Sequence, residues 1–366
     1  MKLLVVYRFA PHYRSSIFQL MDKKFGCDFV FGDKGSDIRT MDYATLSHKV
    51  SFVRSVSFRH CYFQKGVSGL VRADYDTYLI LGEIRCLSVW LFLFRSLFHP
   101  WKRVYLWGHG WLGKETGLKR LLGRVFYGMC DGAFIYNERS RRLMMDGGIP
   151  ERKLVTIYNS LDYDAQLAIR NSLSPSGIYR NHFGNGNKTI VFIGRLTPVK
   201  RLDMLLESVV VLAEKGECYN VVFVGDGEMR QELEEKASRN GLESQVWFYG
   251  ACYDEKANAE LIYNADLCVS PGNIGLTAMH VLMFGCPAVT NDDFNHQMPE
   301  FEAIREGQTG LFFKNGDVRS LADCISGWFV RHDGDREFVR QACYKEIDER
   351  WNPHHQMEIL ESVLGK

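Results

Sequence analysis

Arg195 and Lys200 stand five residues apart in Ile193-Gly194-Arg195-Leu196-Thr197-Pro198-Val199-Lys200, where an apolar run ends and the chain turns at a proline. An arginine presents a planar fork of donors and a lysine a mobile point charge, so the pair suits the two phosphates of one diphosphate. Two isolated surface cations would mean little. A second device changes that. In Ser270 to Pro287, SPGNIGLTAMHVLMFGCP, Pro271, Gly272 and Gly275 interrupt a short apolar strand before Leu276, Met279, Val281 and Met283 resume at helical spacing, and Gly285 and Pro287 stop the helix. A helix that begins on a glycine-bearing turn offers unpaired N–H groups to an anion. An ordinary strand-to-helix turn has the same appearance, so it is the two devices together that point to a diphosphate. Val224-Gly225-Asp226-Gly227 and Tyr249-Gly250-Ala251-Cys252 are two further strand-end turns at which a ligand could approach the backbone closely.

The elements that must position these residues follow from the periodicity. Residues 2–7, 28–31, 77–82, 103–108, 132–136 and 153–158 read as strands, with 51–58 as a further candidate; residues 189–194, 221–225, 246–250, 267–271, 287–290 and 310–313 read as a second series. Helices between them, in the second series starting near Arg201, Met229, Glu255, Gly275, Pro299 and Val318, force parallel pairing through right-handed crossovers. The fold class is therefore α/β, with two doubly wound parallel sheets facing a cleft, and in such sheets ligands lie beyond the carboxyl ends of the strands. A chain of 366 residues exceeds what one core usually supports. The expected division is a first domain over 1–170, a polar Ser/Gly/Asn-rich linker over 171–188, a second domain over 189–350, and a C-terminal helix over 351–366 that can return to the first domain.

Charge is asymmetric. Residues 1–185 carry 27 Lys and Arg against 15 Asp and Glu, and the remainder carry 18 against 29. A basic half can meet phosphates or the anionic face of a membrane. Two segments bear on the membrane option. Leu87 to Phe98 is apolar nearly all round but too short for a span, and reads first as a helix packed on the sheet. Lys114 to Met129 is a basic amphipathic helix whose Leu118, Leu121, Leu122, Val125 and Phe126 share a face; burial of that face is preferred over membrane docking. The ten cysteines form no CxxC and no Cys/His ladder, the amino-terminal apolar run is too short for a signal peptide, and a reducing cytoplasm is expected, with the inner membrane face as the peripheral option.

The stretches IGRLTPVKRLDMLLES, VFVGDGEM, VWFYGACY, ADLCVSPGNIGLTAMHVLMFGCPAV and EGQTGLFF resemble, in order and spacing, the donor-binding domain of retaining family 4 glycosyltransferases, which share the two-Rossmann GT-B fold. The first half is similar to their acceptor domain through its strand pattern, YLWGHGW and YNSLDYD. The resemblance implies transfer of a sugar from a nucleoside diphosphate sugar to a hydroxyl of a cell-surface glycan or lipid-linked glycan, with no further cofactor and no nucleic-acid partner. It implies that Arg195 and Lys200 bind the leaving diphosphate, that Gly275, Leu276 and Thr277 give it backbone N–H groups, that Gly250, Ala251 and Cys252 line the nucleobase, and that His109 faces the donor sugar. Gly194, Gly225 and Asp226 belong to the same rim.

The chain departs from the family pattern where two glutamates bound the organising stretch: those positions are Gly272 and His280. Asn273 is the nearest side chain to compensate, and His280 retains the capacity to hydrogen-bond a ribose hydroxyl. Arg8 and Arg14 replace the usual Gly-Gly turn after the first strand and could meet an anion. Glu300 and Glu302 read as acids at a helix start rather than sugar contacts. Asp74-Asp76 and Asp333-Asp335 read as turn residues, so no metal site is expected. Two rivals stay open: a nucleotide-sugar-binding protein without catalysis, and an epimerase of the same fold.

Overall fold

The computed structural model describes residues 1–33 and 39–365, and these form two compact units: Met1–Tyr163 with Asn352–Lys366, and Asp164–Trp351. In the first unit the strands are β1 (Leu3–Tyr7), β2 (Asp28–Gly32), β3 (Val50–Val53), β4 (Ser55–Phe58), β5 (Cys61–Gln64), β6 (Thr77–Leu81), β7 (Arg103–Gly108), β8 (Gly132–Ile135) and β9 (Leu154–Thr156). Seven of them make a wholly parallel sheet in the order β3-β2-β1-β6-β7-β8-β9; β4 and β5 pair separately as an antiparallel hairpin. The candidate strand over 51–58 thus divides between the sheet and this hairpin. β1 is buried at every position, which is what a strand covered on both faces requires.

The second unit holds β10 (Thr189–Ile193), β11 (Asn220–Val224), β12 (Val246–Gly250), β13 (Leu267–Ser270), β14 (Ala288–Asn291) and β15 (Gly310–Phe313), all parallel, in the order β12-β11-β10-β13-β14-β15. The strand order reverses between β10 and β13, and in an open parallel sheet the crevice beyond the strand ends at such a reversal is where ligands bind. That crevice is where the two predicted anion devices meet, because one follows β10 and the other follows β13.

Two expectations change. The stretch read as a linker, 171–188, contains a helix, Ile178–Phe183, whose buried Tyr179 donates its hydroxyl to Leu261 O at 2.6 Å, so it is part of the second unit; the division falls earlier, after Tyr163. The polar composition reflects a surface-hugging segment rather than a free one. The helix Pro353–Leu364 belongs to the first unit, where Met357, Leu360 and Leu364 enter the core beside Ile17 and Met21, and Lys24 meets Glu361 at 3.2 Å.

The second change concerns the basic amphipathic helix, Gly117–Gly128. Its core contacts are Gly123, Phe126 and Tyr127, whereas Leu118, Leu121, Leu122 and Val125 are 41–69% exposed. The indole of Trp111 lies against Gly123, and the ring of Trp90 meets Phe126 at 5.0 Å, so the helix is seated by its aromatic side. The helix Leu87–Ser96 buries Val89, Phe92 and Leu93 but also leaves a second apolar face in solvent.

Candidate functional site

The loop from Gly194 to Lys200 and the loop from Pro271 to Leu276 are stitched together along their backbones. Gly272 N donates to Lys200 O at 2.9 Å and Asn273 N to Val199 O at 3.3 Å. The approach is so close that a Cβ built on Gly272 would stand 1.9 Å from Val199 O. Gly272 is therefore the residue the packing demands, and a glutamate side chain has no room to leave this point of the backbone.

Lys200 curls back over the same loop, its ammonium donating to Asn273 O. Burial, seconded by repulsion from Arg195, holds its pKa below the ordinary lysine value, while the buried Glu300 pulls the other way. Arg195 is exposed, and its guanidinium makes no hydrogen bond or ion pair among the described residues. One cation is thus preorganised in the crevice and the other is ready to close on a ligand. Glu300, read from sequence as an ordinary helix-start acid, is buried within the electrostatic reach of Lys200.

The helix after the second loop is Thr277–Met283, seven residues, so its dipole is small. What the turn does supply is three N–H groups, of Gly275, Leu276 and Thr277, for which no acceptor is found among the described residues. Gly275 takes φ +56°, the left-handed conformation that lets the chain swing into the helix. Thr277 anchors its hydroxyl on Ile193 O at 3.1 Å, which ties the helix start to the end of β10.

Residues not singled out from sequence hold the loop rigid from below. Gln297, 2% exposed, accepts from Ile274 N at 3.0 Å and donates to Gly272 O at 3.1 Å and Thr290 Oγ1 at 2.9 Å. Asn291 donates to Pro271 O and Gly272 O, and Thr290 donates to Ser270 O. Asn273 spends its side-chain amide on His296 O at 2.8 Å, so it is a loop fastener in this structure. With the loop carbonyls satisfied from one side, the N–H groups are left facing the other. The amide-rich run straight after β14 was the sequence signal for this support.

His280 is paired: its Nε2 lies 3.0 Å from Glu255 Oε1, and Gln166 Nε2 donates to the same oxygen at 2.7 Å. Glu255 opens the helix Glu255–Asn264 that follows β12. Burial works to raise its pKa, but the His280 charge and the hydrogen bonds from His280, Gln166 and Asn258 outweigh it and leave it lowered. A carboxylate absent at position 280 is thus present beside it, delivered by another helix.

On the remaining rim, Gly225 N donates to Gly250 O at 2.8 Å, and Leu196 N to Asp226 O at 2.9 Å, which packs the β10, β11 and β12 turns against one another. Asp226 accepts from Gly227 N at 2.7 Å, a local turn bond. Ala251 and Cys252 follow directly on β12, with Cys252 half-buried.

His109 lies in the first unit at the end of β7, its ring edge-on to Tyr136 with centroids 4.9 Å apart. The protein around it and the Arg14 charge push its pKa down to about 4, although the residue itself is exposed. The imidazole is therefore neutral at pH 7. Arg8 and Arg14 are not surface anion devices. Arg14 is 4% exposed, donates to the Tyr136 hydroxyl and lies over the rings of Tyr7, Trp107 and Tyr136, and Arg8 sits on Tyr62 and pairs with Glu83. Asp74 and Asp76 are occupied by the amino-terminal Lys2, and among the described residues no three His, Cys, Asp or Glu converge as metal ligands do.

Residues 179–342 match the family model "Glycosyl transferases group 1". An uncharacterised glycosyltransferase of Methanocaldococcus jannaschii is 25% identical over 215 residues, covering 56% of this chain and 51% of that protein. A GDP-mannose-dependent alpha-(1-6)-phosphatidylinositol dimannoside mannosyltransferase of Mycobacterium tuberculosis is 33% identical over 116 residues, 31% of this chain and 29% of that one. The matched part thus spans about half, or less, of these relatives. The crystal structure of Anabaena HepE in complex with UDP superposes over 100% of both chains with a TM-score of 0.73 at 16% identity, which shows the shared GT-B architecture of two parallel-sheet units.

Proposed function

We propose that this chain, whose residues 179–342 match the glycosyl transferases group 1 model, moves a sugar from a nucleoside diphosphate sugar to a hydroxyl of a glycan or lipid-linked glycan. The observation that carries the reading is the β10/β13 reversal, where the loop bearing Arg195 and Lys200 is bonded to the loop whose Gly275, Leu276 and Thr277 N–H groups have no acceptor among the described residues. As the C1–O bond to the diphosphate breaks, negative charge grows on the leaving oxygen, and donors already in place stabilise it without reorganising. Lys200 and Arg195 supply the neutralising charge. The acceptor oxygen bonds to C1, and its proton passes to the departing phosphate. Attack on the face from which the diphosphate leaves makes the reaction retaining.

The GDP-mannose dependence of one relative and the UDP bound in one structure of the same fold support a nucleoside diphosphate without choosing the base. The test is Lys200→Ala, with UDP- and GDP-sugars screened by thermal shift and then turned over with an acceptor extract. Turnover is expected to fall by about 100-fold or more, the scale for losing one preorganised oxyanion donor. Unchanged turnover sinks the assignment. A second reading, a nucleotide-sugar-binding protein without transfer, is favoured by Gly272, where no carboxylate fits. Tight donor binding with no product from any acceptor selects it.

A further inference from the structure

The first unit leaves two apolar stripes in solvent, on neighbouring helices of one sheet face. On Leu87–Ser96 and its continuation, Leu87, Leu91, Phe94 and Phe98 recur at one helical face and are 36–68% exposed, and Trp101 beyond them is 69% exposed. On Gly117–Gly128 the stripe is Leu118, Leu121, Leu122 and Val125. The helices touch through Trp90 and Phe126 and share one core cluster, so the stripes lie side by side. Single exposed apolar residues are ordinary; a continuous pair of stripes with this many large side chains marks an interaction surface.

We propose that this two-helix face docks on an anionic lipid bilayer, with the helices lying in the interface plane. Charge chooses the occupant. Residues 87–129 hold seven Lys and Arg against one acid, Glu115, and that acid is turned inward to accept from Leu112 N and Gly113 N. Lys114, Lys119, Arg120 and Arg124 are exposed along the flank of the second stripe. A second copy of this chain would bring the same basic flank and be repelled, whereas anionic headgroups complement it and the acyl boundary receives the leucines and phenylalanines. No described helix is long and apolar enough to cross a membrane, so the contact is lateral. A helix that is apolar on both sides, one against the sheet and one outward, is what such a position requires.

The experiment is co-sedimentation of the full chain with phosphatidylcholine vesicles, with and without phosphatidylglycerol, alongside light scattering of the free protein. The wild type is expected to sediment with the phosphatidylglycerol vesicles and to be released by salt. A Phe94→Gln, Leu121→Gln double variant, and separately a Lys119→Gln, Arg124→Gln variant, should each bind at least about tenfold more weakly. The four side chains are exposed, so thermal midpoints stay at the wild-type value; the charge variant also tests the idea without touching an apolar contact. The proposal is overturned if the wild type stays in the supernatant, if it binds phosphatidylcholine alone equally well, or if both variants sediment as the wild type does. It is equally overturned if the wild type is a dimer and the double variant a monomer, which would make a second copy the occupant.

Discussion

Replacing Gly272 by alanine adds one methyl group at a backbone crossing in the second unit that has no room for it. Its Cβ would lie 1.9 Å from Val199 O and 2.8 Å from Lys200 Cα. The two loops must part by about 1 Å or more before those atoms reach tolerable contact. The crossing is held by Gly272 N to Lys200 O and Asn273 N to Val199 O, and separation on that scale breaks both. At about 1 kcal/mol each, the loss is about 2 kcal/mol. If the loops part only in the folded state, the unit is destabilised and its thermal midpoint drops by about 4–8 °C. If the ligand re-forms the crossing, the same energy is charged to binding, and the Kd for UDP or GDP rises by about 30-fold. Calorimetric titration of both nucleotides, with a thermal scan of the free protein, measures the two shares. An alanine variant with unchanged midpoint and unchanged affinity refutes the close approach and the argument against an acid at 272. By the same reasoning Gly272→Glu gives no gain in transfer, though it restores the resembled family's residue.

Gln297→Leu, close to isosteric, strips Ile274 N of its acceptor and Gly272 O and Thr290 of a donor inside a buried site; chemical denaturation is expected to show a loss of about 1–3 kcal/mol. Glu255 has a folded pKa below its ordinary 4.5, so its contribution is complete above that value and disappears as pH falls through the lower folded value. Glu255→Gln should therefore flatten the decline in stability on the acid side of pH 4.5, and an unaltered acid limb counts against the His280 pair.

The sheets and the rim of the crevice were legible from the residues alone, because they rest on local rules. Strand runs such as Ile190–Ile193 are continuously apolar, glycines punctuate them, and the helices between them leave parallel pairing as the available topology. Arg195, Lys200 and the Gly275 turn fall where that topology brings strand ends together. Tertiary structure decided what periodicity cannot encode. Gly117–Gly128 has leucines on one side and Phe126 and Tyr127 on another; both sides are apolar, and the contact of Trp111 with Gly123 selects which one faces the sheet. Gly272 looks like an ordinary turn glycine until Val199, 73 residues earlier in the chain, is found against it. Glu255 meets His280 across two helices, and Gln297 reaches the loop from beneath, through contacts that depend on distance in space and leave no spacing in the chain. Local chemistry set which groups are available for a diphosphate; packing set which of them are free to use.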